Sequence, residues 1–365
     1  MMRRSAGAGW VRTRAMSSLA VVGLAGFLGL GGIGDAPATA VDGRVGTATA
    51  AMGDQAAAAH PLRVLLITAH PDDETMFDMG RFKERGWDVS IALVTNGENG
   101  GVVEGIVADV DPLSGDDVLI EHDPAPGVWL TQPPAGPSIR EIASHVALAR
   151  QRRHEFLTSQ ALNGVTSVYF LSGLRSSDFE DSWDNGVKNW DTPLLEERLL
   201  QVAKRVQPDV IITLNPDETW AHRQHWGLAR IVRQMYGKGE FDRPGEPPPT
   251  LYGIREHGWY DQSLVPEPGD VRFDRTAMSP VLGATYEDAW TKATSVYISQ
   301  SSHPIWFGAR VAAGLLPGYT DFDLIRRLDA TGRPGLAAQF ASQAPDSRAM
   351  AALPAKPRVV RLSRG

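Results

Sequence analysis

Residues 63–74 read Arg63-Val-Leu-Leu-Ile-Thr-Ala-His-Pro-Asp-Asp-Glu74, six strand-forming residues running straight into a turn crowded with an imidazole and three carboxyl groups. The first half is a compact apolar run with β-branched members and no alternation, the pattern of a strand buried on both faces. Three more runs of this kind follow, Asp88 to Thr95, Thr166 to Leu171 and Asp209 to Leu214. Helical spacing occupies Glu74 to Arg85, Ile139 to Leu162, Pro193 to Val206 and Trp226 to Tyr236, with Pro193 suited to a first helical turn. Strand alternating with helix predicts an α/β fold, an open and mostly parallel sheet in a Rossmann-like three-layer sandwich. Leu251 to Ile254 is expected to begin an edge strand.

Outside this pattern the chain changes character. Residues 1–40 hold Arg3, Arg4, Arg12 and Arg14, an apolar glycine-rich stretch from Ser18 to Gly34, and Ala38-Thr39-Ala40. This is the layout of a secretory signal peptide cleaved near Ala40, by the general or the twin-arginine route. An uncleaved membrane anchor is the rival reading, against which the apolar stretch is shorter than the roughly 20 residues of a span. The product is therefore expected to be secreted, without stable membrane association. Residues 41–60 read as a flexible linker. Residues 61–310 read as the main folded domain, with a Pro-, Gly- and Asp-rich insertion over 101–138 serving as a lid or an exposed elaboration. Residues 311–365 read as a C-terminal extension, its Ala/Pro/Arg-rich part from about Ala330 packing lightly or staying disordered.

Composition removes several classes of function. The 365 residues carry a net charge of −7, which becomes −10 once the four arginines and one aspartate of residues 1–40 are gone. Nothing resembles a basic nucleic-acid footprint, and a neutral or cationic small-molecule substrate is easier to reconcile with this charge. There is no cysteine, so a metal would be held by His and carboxylate, and thiolate chemistry is excluded.

Ligands in open α/β sheets bind beyond the carboxyl ends of the strands, so the segments following the strands carry the chemistry. After the first comes His70-Pro-Asp-Asp-Glu74; after the second, Gly97-Glu98; after the third, a loop containing Asp178; after the fourth, Trp220-Ala-His222-Arg-Gln-His225. So many acidic groups beside a histidine repel one another unless a cation neutralises them. Helix capping by Asp72 or Asp73 would account for one carboxylate but not for the histidine as well. His222 and His225 are three apart at the start of a helix and face the same way. Two histidines and one aspartate make an incomplete zinc shell, open for water and substrate.

In these motifs the sequence resembles the PIG-L/LmbE-like zinc-dependent N-deacetylases. Ala69 to Glu74 matches the first signature of that family and His222/His225 the second. Gly97-Glu98, Arg153, Glu155, Leu162, Gly164, Gln207 to Ile212, Lys292 and Ser299-Gln300 are similar to further segments, over roughly Leu62 to His303. The resemblance implies Zn²⁺, or another divalent cation, on His70, Asp73 and His225. It makes Asp72 the general base and His222 the residue that orients or protonates the intermediate. Arg153, Glu98, Trp220 and Asp178 are the candidate substrate contacts. The second signature often reads His-Pro-Asp-His; here neutral Gln224 replaces the acidic partner of His222. Trp220 stands where some members carry an oxyanion-donating Tyr. The activity implied is removal of an acetyl group from an N-acetylated sugar. An amidase acting on N-acyl amino acids or glycopeptides, and a non-catalytic carbohydrate-binding protein, are the alternatives.

Overall fold

The structure is a computed structural model that describes residues 61–98, 145–174, 178–182, 185–256, 265–294, 296–297 and 322–362. The expected signal peptide, the linker, the 101–138 insertion, Ser299, Gln300 and His303 lie outside the described residues. None of the described helices is long and apolar enough to cross a membrane.

The strands are β1 (Arg63–Thr68), β2 (Asp88–Leu93), β3 (Ser167–Phe170), β4 (Val210–Leu214), β5 (Thr250–Ile254), β6 (Asp270–Asp274), β7 (Phe322–Arg327) and β8 (Arg358–Val360). They form one sheet in the order β6-β7-β5-β4-β1-β2-β3-β8. Pairings from β5 through β8 across β4, β1, β2 and β3 are parallel, and β7 pairs antiparallel with both β5 and β6. Helices of more than one turn are α2 (His145–Asn163), α3 (Thr192–Val206), α4 (Arg223–Gly237), α5 (Tyr286–Thr294), α6 (Leu336–Ser342) and α7 (Ser347–Ala351). The four-residue α1 spans Gly80–Lys83. The expected mixed, mostly parallel α/β sheet is what the chain forms.

Burial explains the apolar runs. Val64, Leu65, Leu66 and Ile67 are all fully buried although alternate side chains leave opposite faces of the sheet. Both faces are therefore covered, and continuous apolar sequence is what such a strand requires. α3 begins as expected, with Pro193 in its first turn and the Asp191 carboxylate accepting the Leu194 N–H.

Two expectations are corrected. Thr250–Ile254 is an inner strand, flanked by β4 and β7, not an edge. Glu74 to Arg85 is not one helix: a 3₁₀ turn over Asp73–Met76 ends at Phe77, whose extended backbone precedes the one-turn α1. The gain is aromatic packing, since Phe77 meets Phe82 and Phe273 edge-on. The C-terminal segment, expected to pack lightly or stay disordered, packs lightly, with Leu336 its one buried residue from 331 to 362. Its Phe340 stacks on Trp87 at 5.0 Å and 5°, and β8 extends the sheet beside β3. β7 and β8 both fall within residues 311–365, so that region shares the central sheet.

Candidate functional site

β1 and β4 are adjacent and parallel, and the chain leaves them toward β2 on one side and β5 on the other. Their carboxyl ends thus open a crevice at a topological switch point, where α/β proteins place ligands. Both histidine clusters lie there.

The β1 turn is built around Asp73. Its Oδ2 accepts the main-chain N–H groups of Ala69 and His70, each at 2.8 Å. With that oxygen fixed, Oδ1 lies 3.3 Å from His70 Nδ1 and 3.0 Å from His225 Nε2. The two imidazole nitrogens are 3.1 Å apart. Three donors around a tetrahedral zinc, each about 2.0–2.1 Å from it, would be separated by about 3.3 Å. The triangle fits such an ion. His70, His222 and His225 also form a wider group, with ligand atoms within 4.8 Å of one another. The triangle through Asp73 is the better ligand set, because its edges match one ion and because His222 is engaged elsewhere.

Capping does not explain the carboxylates. Asp72 precedes the 3₁₀ turn without a side-chain cap bond, and Asp73 turns its side chain back toward residues before it. His222 is the residue that caps a helix: its Nδ1 accepts the Gln224 N–H at 3.3 Å at the start of α4. Its ring stands edge-on to His70, centroids 4.6 Å apart, and 4.9 Å from His225.

The electrostatics call for positive charge. Burial opposes protonation of His70 and His225, yet nearby carboxylates outweigh it. Asp73 and Asp181 raise His70 well above its ordinary range, and Asp73 and Glu256 raise His225 to about 10. Asp73 is held well below the usual carboxylate range, against its own burial, by the two imidazoles. Burial, then the neighbouring imidazoles, push His222 down to about 2, so it is the neutral member.

Asp72 is half-buried and has φ 120°, a backbone region that non-glycine residues rarely occupy. Its N–H donates to Glu74 Oε2 at 3.2 Å, and its carbonyl accepts from the Thr75 N–H and hydroxyl at 2.8 and 2.6 Å. Glu74 is wholly buried. Its other oxygen accepts from Tyr297 Oη, from Gln160 Nε2 at 2.6 Å and from Ser159 Oγ at 3.3 Å.

Three of the four candidate substrate contacts, Arg153, Glu98 and Asp178, bond to neighbouring residues of the fold. Arg153 donates Nε to Asn96 Oδ1 at 2.6 Å and also bonds the Ser172 carbonyl, with its guanidinium 4.2 Å from the Phe170 ring centre. Burial lowers it to about 10. Glu98 accepts from the main-chain N–H of Asn96 and of Asp181. Asp178 pairs with Arg198 at 3.3 Å. Trp220 is half-buried two residues before His222. Lys292 lies on α5.

Sequence reading did not find the outer partners of the two histidines. Gln224 was expected beside His222; its main chain is there, but its side-chain oxygen is 2.7 Å from His70 Nε2. Asp181 Oδ1 is 3.4 Å from the same nitrogen. Glu256 Oε1 is 2.7 Å from His225 Nδ1. Glu256 had a usable signal: it follows β5, and once β5 is known to be an inner parallel strand, its carboxyl end belongs to the same rim.

Comparison with known proteins finds similarity over the first part of the described sheet. The model of the family described as PIG-L, GlcNAc-PI de-N-acetylase, matches residues 65–236, which contain both histidine clusters. Over 211 residues the chain is 29% identical to a 1D-myo-inositol 2-acetamido-2-deoxy-alpha-D-glucopyranoside deacetylase from Corynebacterium urealyticum, covering 53% of this chain and 55% of that one. A protein of the same name from Kineococcus radiotolerans is 27% identical over 170 residues, 45% of this chain and 42% of its own length. The matched stretch thus spans about half of these relatives. An N,N'-diacetylchitobiose deacetylase from Pyrococcus horikoshii aligns in structure with a TM-score of 0.41 and 19% identity, over 73% of this chain and 83% of that one. The stretch 65–236, with the triangle of His70, Asp73 and His225 inside it, matches the PIG-L family model.

Proposed function

We propose that this protein is a metal-dependent hydrolase that removes an acetyl group from an N-acetylated sugar or a related amide. The observation that carries the reading is the triangle of His70 Nδ1, Asp73 Oδ1 and His225 Nε2, with edges of 3.0 to 3.3 Å, open at a sheet switch point. The 1D-myo-inositol 2-acetamido-2-deoxy-alpha-D-glucopyranoside deacetylases that resemble the chain support the substrate class.

A divalent cation held by these three residues, zinc by the nature of the donors, would supply Lewis acidity for the amide carbonyl and for water. Asp72, next to the ligand Asp73, takes a proton from the attacking water. Water oxygen bonds to the carbonyl carbon, the C–N bond breaks, and the proton passes to the departing nitrogen, leaving the free amine and acetic acid, which ionises to acetate. His222, whose Nδ1 accepts the Gln224 N–H, carries its proton on Nε2 and can donate it to the oxygen that gains charge. The strained backbone at Asp72 supports this role, since conformational strain in a packed site accompanies preorganisation.

The signal-like residues 1–40 support action outside the cytoplasm; N-terminal sequencing of the mature protein tests this. The activity is tested by acetate release from a panel of N-acetylated sugars and peptides. Release that a chelator abolishes and zinc restores is expected. Release that survives complete metal removal would overturn the reading.

A further inference from the structure

Glu256 lies beyond the stretch that the family model matches and two residues past β5, in no motif the sequence displays. Yet it is buried, and its Oε1 is 2.7 Å from His225 Nδ1. A carboxylate only accepts, so this contact holds a proton on Nδ1 and makes Nε2, which faces Asp73 and His70, the nitrogen that a cation would take. The main chain carrying Glu256 is itself braced. Its N–H donates to Glu218 Oε2 at 2.8 Å, Glu218 Oε1 takes Arg255 Nε at 2.7 Å, and Arg255 Nη1 reaches Asp270 Oδ2 at 2.7 Å. The turn after β5 is thereby tied to the loop after β4 and to β6.

His70 is held differently. The Gln224 amide nitrogen donates to the carbonyls of Glu180 and Gly186, which can only accept. Its oxygen must therefore face His70 Nε2, and that nitrogen must be the protonated one. Each imidazole thus has its outer nitrogen clamped as a proton donor and its inner one turned toward Asp73. The clamp on His70 is a neutral amide at 2.7 Å with a carboxylate farther off at 3.4 Å, whereas that on His225 is a carboxylate in full contact.

We propose that Glu256 is a positioning residue of the metal centre: it fixes the orientation and tautomer of His225, strengthens Nε2 as a donor, and so sets the affinity for a divalent cation. This rests on the metal-hydrolase reading above. Outer partners of ligating histidines typically contribute 10–100-fold to metal affinity.

The test uses the metal-stripped full-length protein and Zn²⁺, with dissociation constants from chelator competition and Co²⁺ absorption as a coordination readout. Glu256→Gln keeps an oxygen acceptor but loses the charge. It is expected to weaken Zn²⁺ binding by about 10–100-fold while the metal-free protein unfolds near the wild-type temperature. Glu256→Asp keeps the charge but shortens the reach, and is expected to weaken binding less. In a His225→Ala background, Glu256→Gln should change nothing further. Wild-type affinity in both Glu256 variants, or an equal loss with and without His225, would overturn the proposal. A wild-type protein that binds no divalent ion would instead sink the metal-centre reading, and this inference with it.

Discussion

Asp72 holds φ 120°, and strain of this kind costs about 1–3 kcal/mol. The hydrogen bond from its N–H to the buried Glu74 carboxylate, itself held from α2 and from Tyr297, is what keeps the conformation in place. Asparagine tolerates positive φ comparatively well, so Asp72→Asn should fold. The expected result is normal zinc affinity with turnover lower by about 10²–10⁴-fold, checked by chelator competition beside acetate release. Good turnover in that variant would remove Asp72 from the role. Asp78 makes a different case, away from the metal triangle. It is buried, its Oδ1 accepts the Gly80 N–H, and Oδ2 has no donor among the described residues. Burial, with Asp323 nearby, raises its carboxyl from 3.8 to about 7. Below about 3.8 the group is protonated folded or unfolded. From there to about 7 only the folded chain keeps the proton, so its contribution to stability falls as pH rises through that window. Asp78→Asn removes this loss. The variant is expected to gain a few kcal/mol over wild type at pH 8 and little at pH 4.5, as read by urea unfolding at both.

At the scale of elements, the inner strands were legible because burial on both faces demands an unbroken apolar run, and β1, β2, β3 and β4 each have one. The C-terminal elements were not legible, because what holds them is neither periodic nor local. α6 docks through Phe340 against Phe82 and Trp87, and the Trp87 indole N–H donates to Gln343 Oε1 at 2.6 Å. Arg85 adds a guanidinium 4.9 Å from the Phe340 ring centre and a bond to the Gln343 carbonyl. Phe340→Ala should therefore release the segment. Because Phe340 is only half-buried, the loss should fall below the about 3–5 kcal/mol of a fully buried phenylalanine. The expected readout is a lower unfolding temperature with new proteolytic cleavage between residues 328 and 358; an unchanged cleavage pattern would show that β8 alone holds the tail. The helix expected across Glu74 to Arg85 failed for a related reason: burying Phe77 in the aromatic cluster outweighs continuing a helix.

Across the whole molecule, the candidate site is assembled from segments far apart in the chain: the β1 turn, the α4 start, the turn after β5 and the loop around Asp181. A ligand bound by the folded state alone stabilises it by mass action, about 4.1 kcal/mol at a concentration a thousand times the dissociation constant. Zinc should accordingly raise the unfolding temperature, and a chelator should lower it to that of a His225→Ala variant. Calorimetry that finds wild type and variant equally unaffected by zinc would contradict the ligand set.

What the sequence alone determined was local: four buried strands, two histidine clusters at the ends of two of them, and the chemistry those clusters can support without cysteine. Such features are carried by residues within a few positions of one another, where spacing dictates which side chains meet. Only the tertiary structure decided that β5 is an inner strand, that Gln224 serves His70, and that Glu256 serves His225. These depend on strand order and on contacts across 31 to 154 positions of chain, which packing of the sheet fixes and residue spacing does not encode.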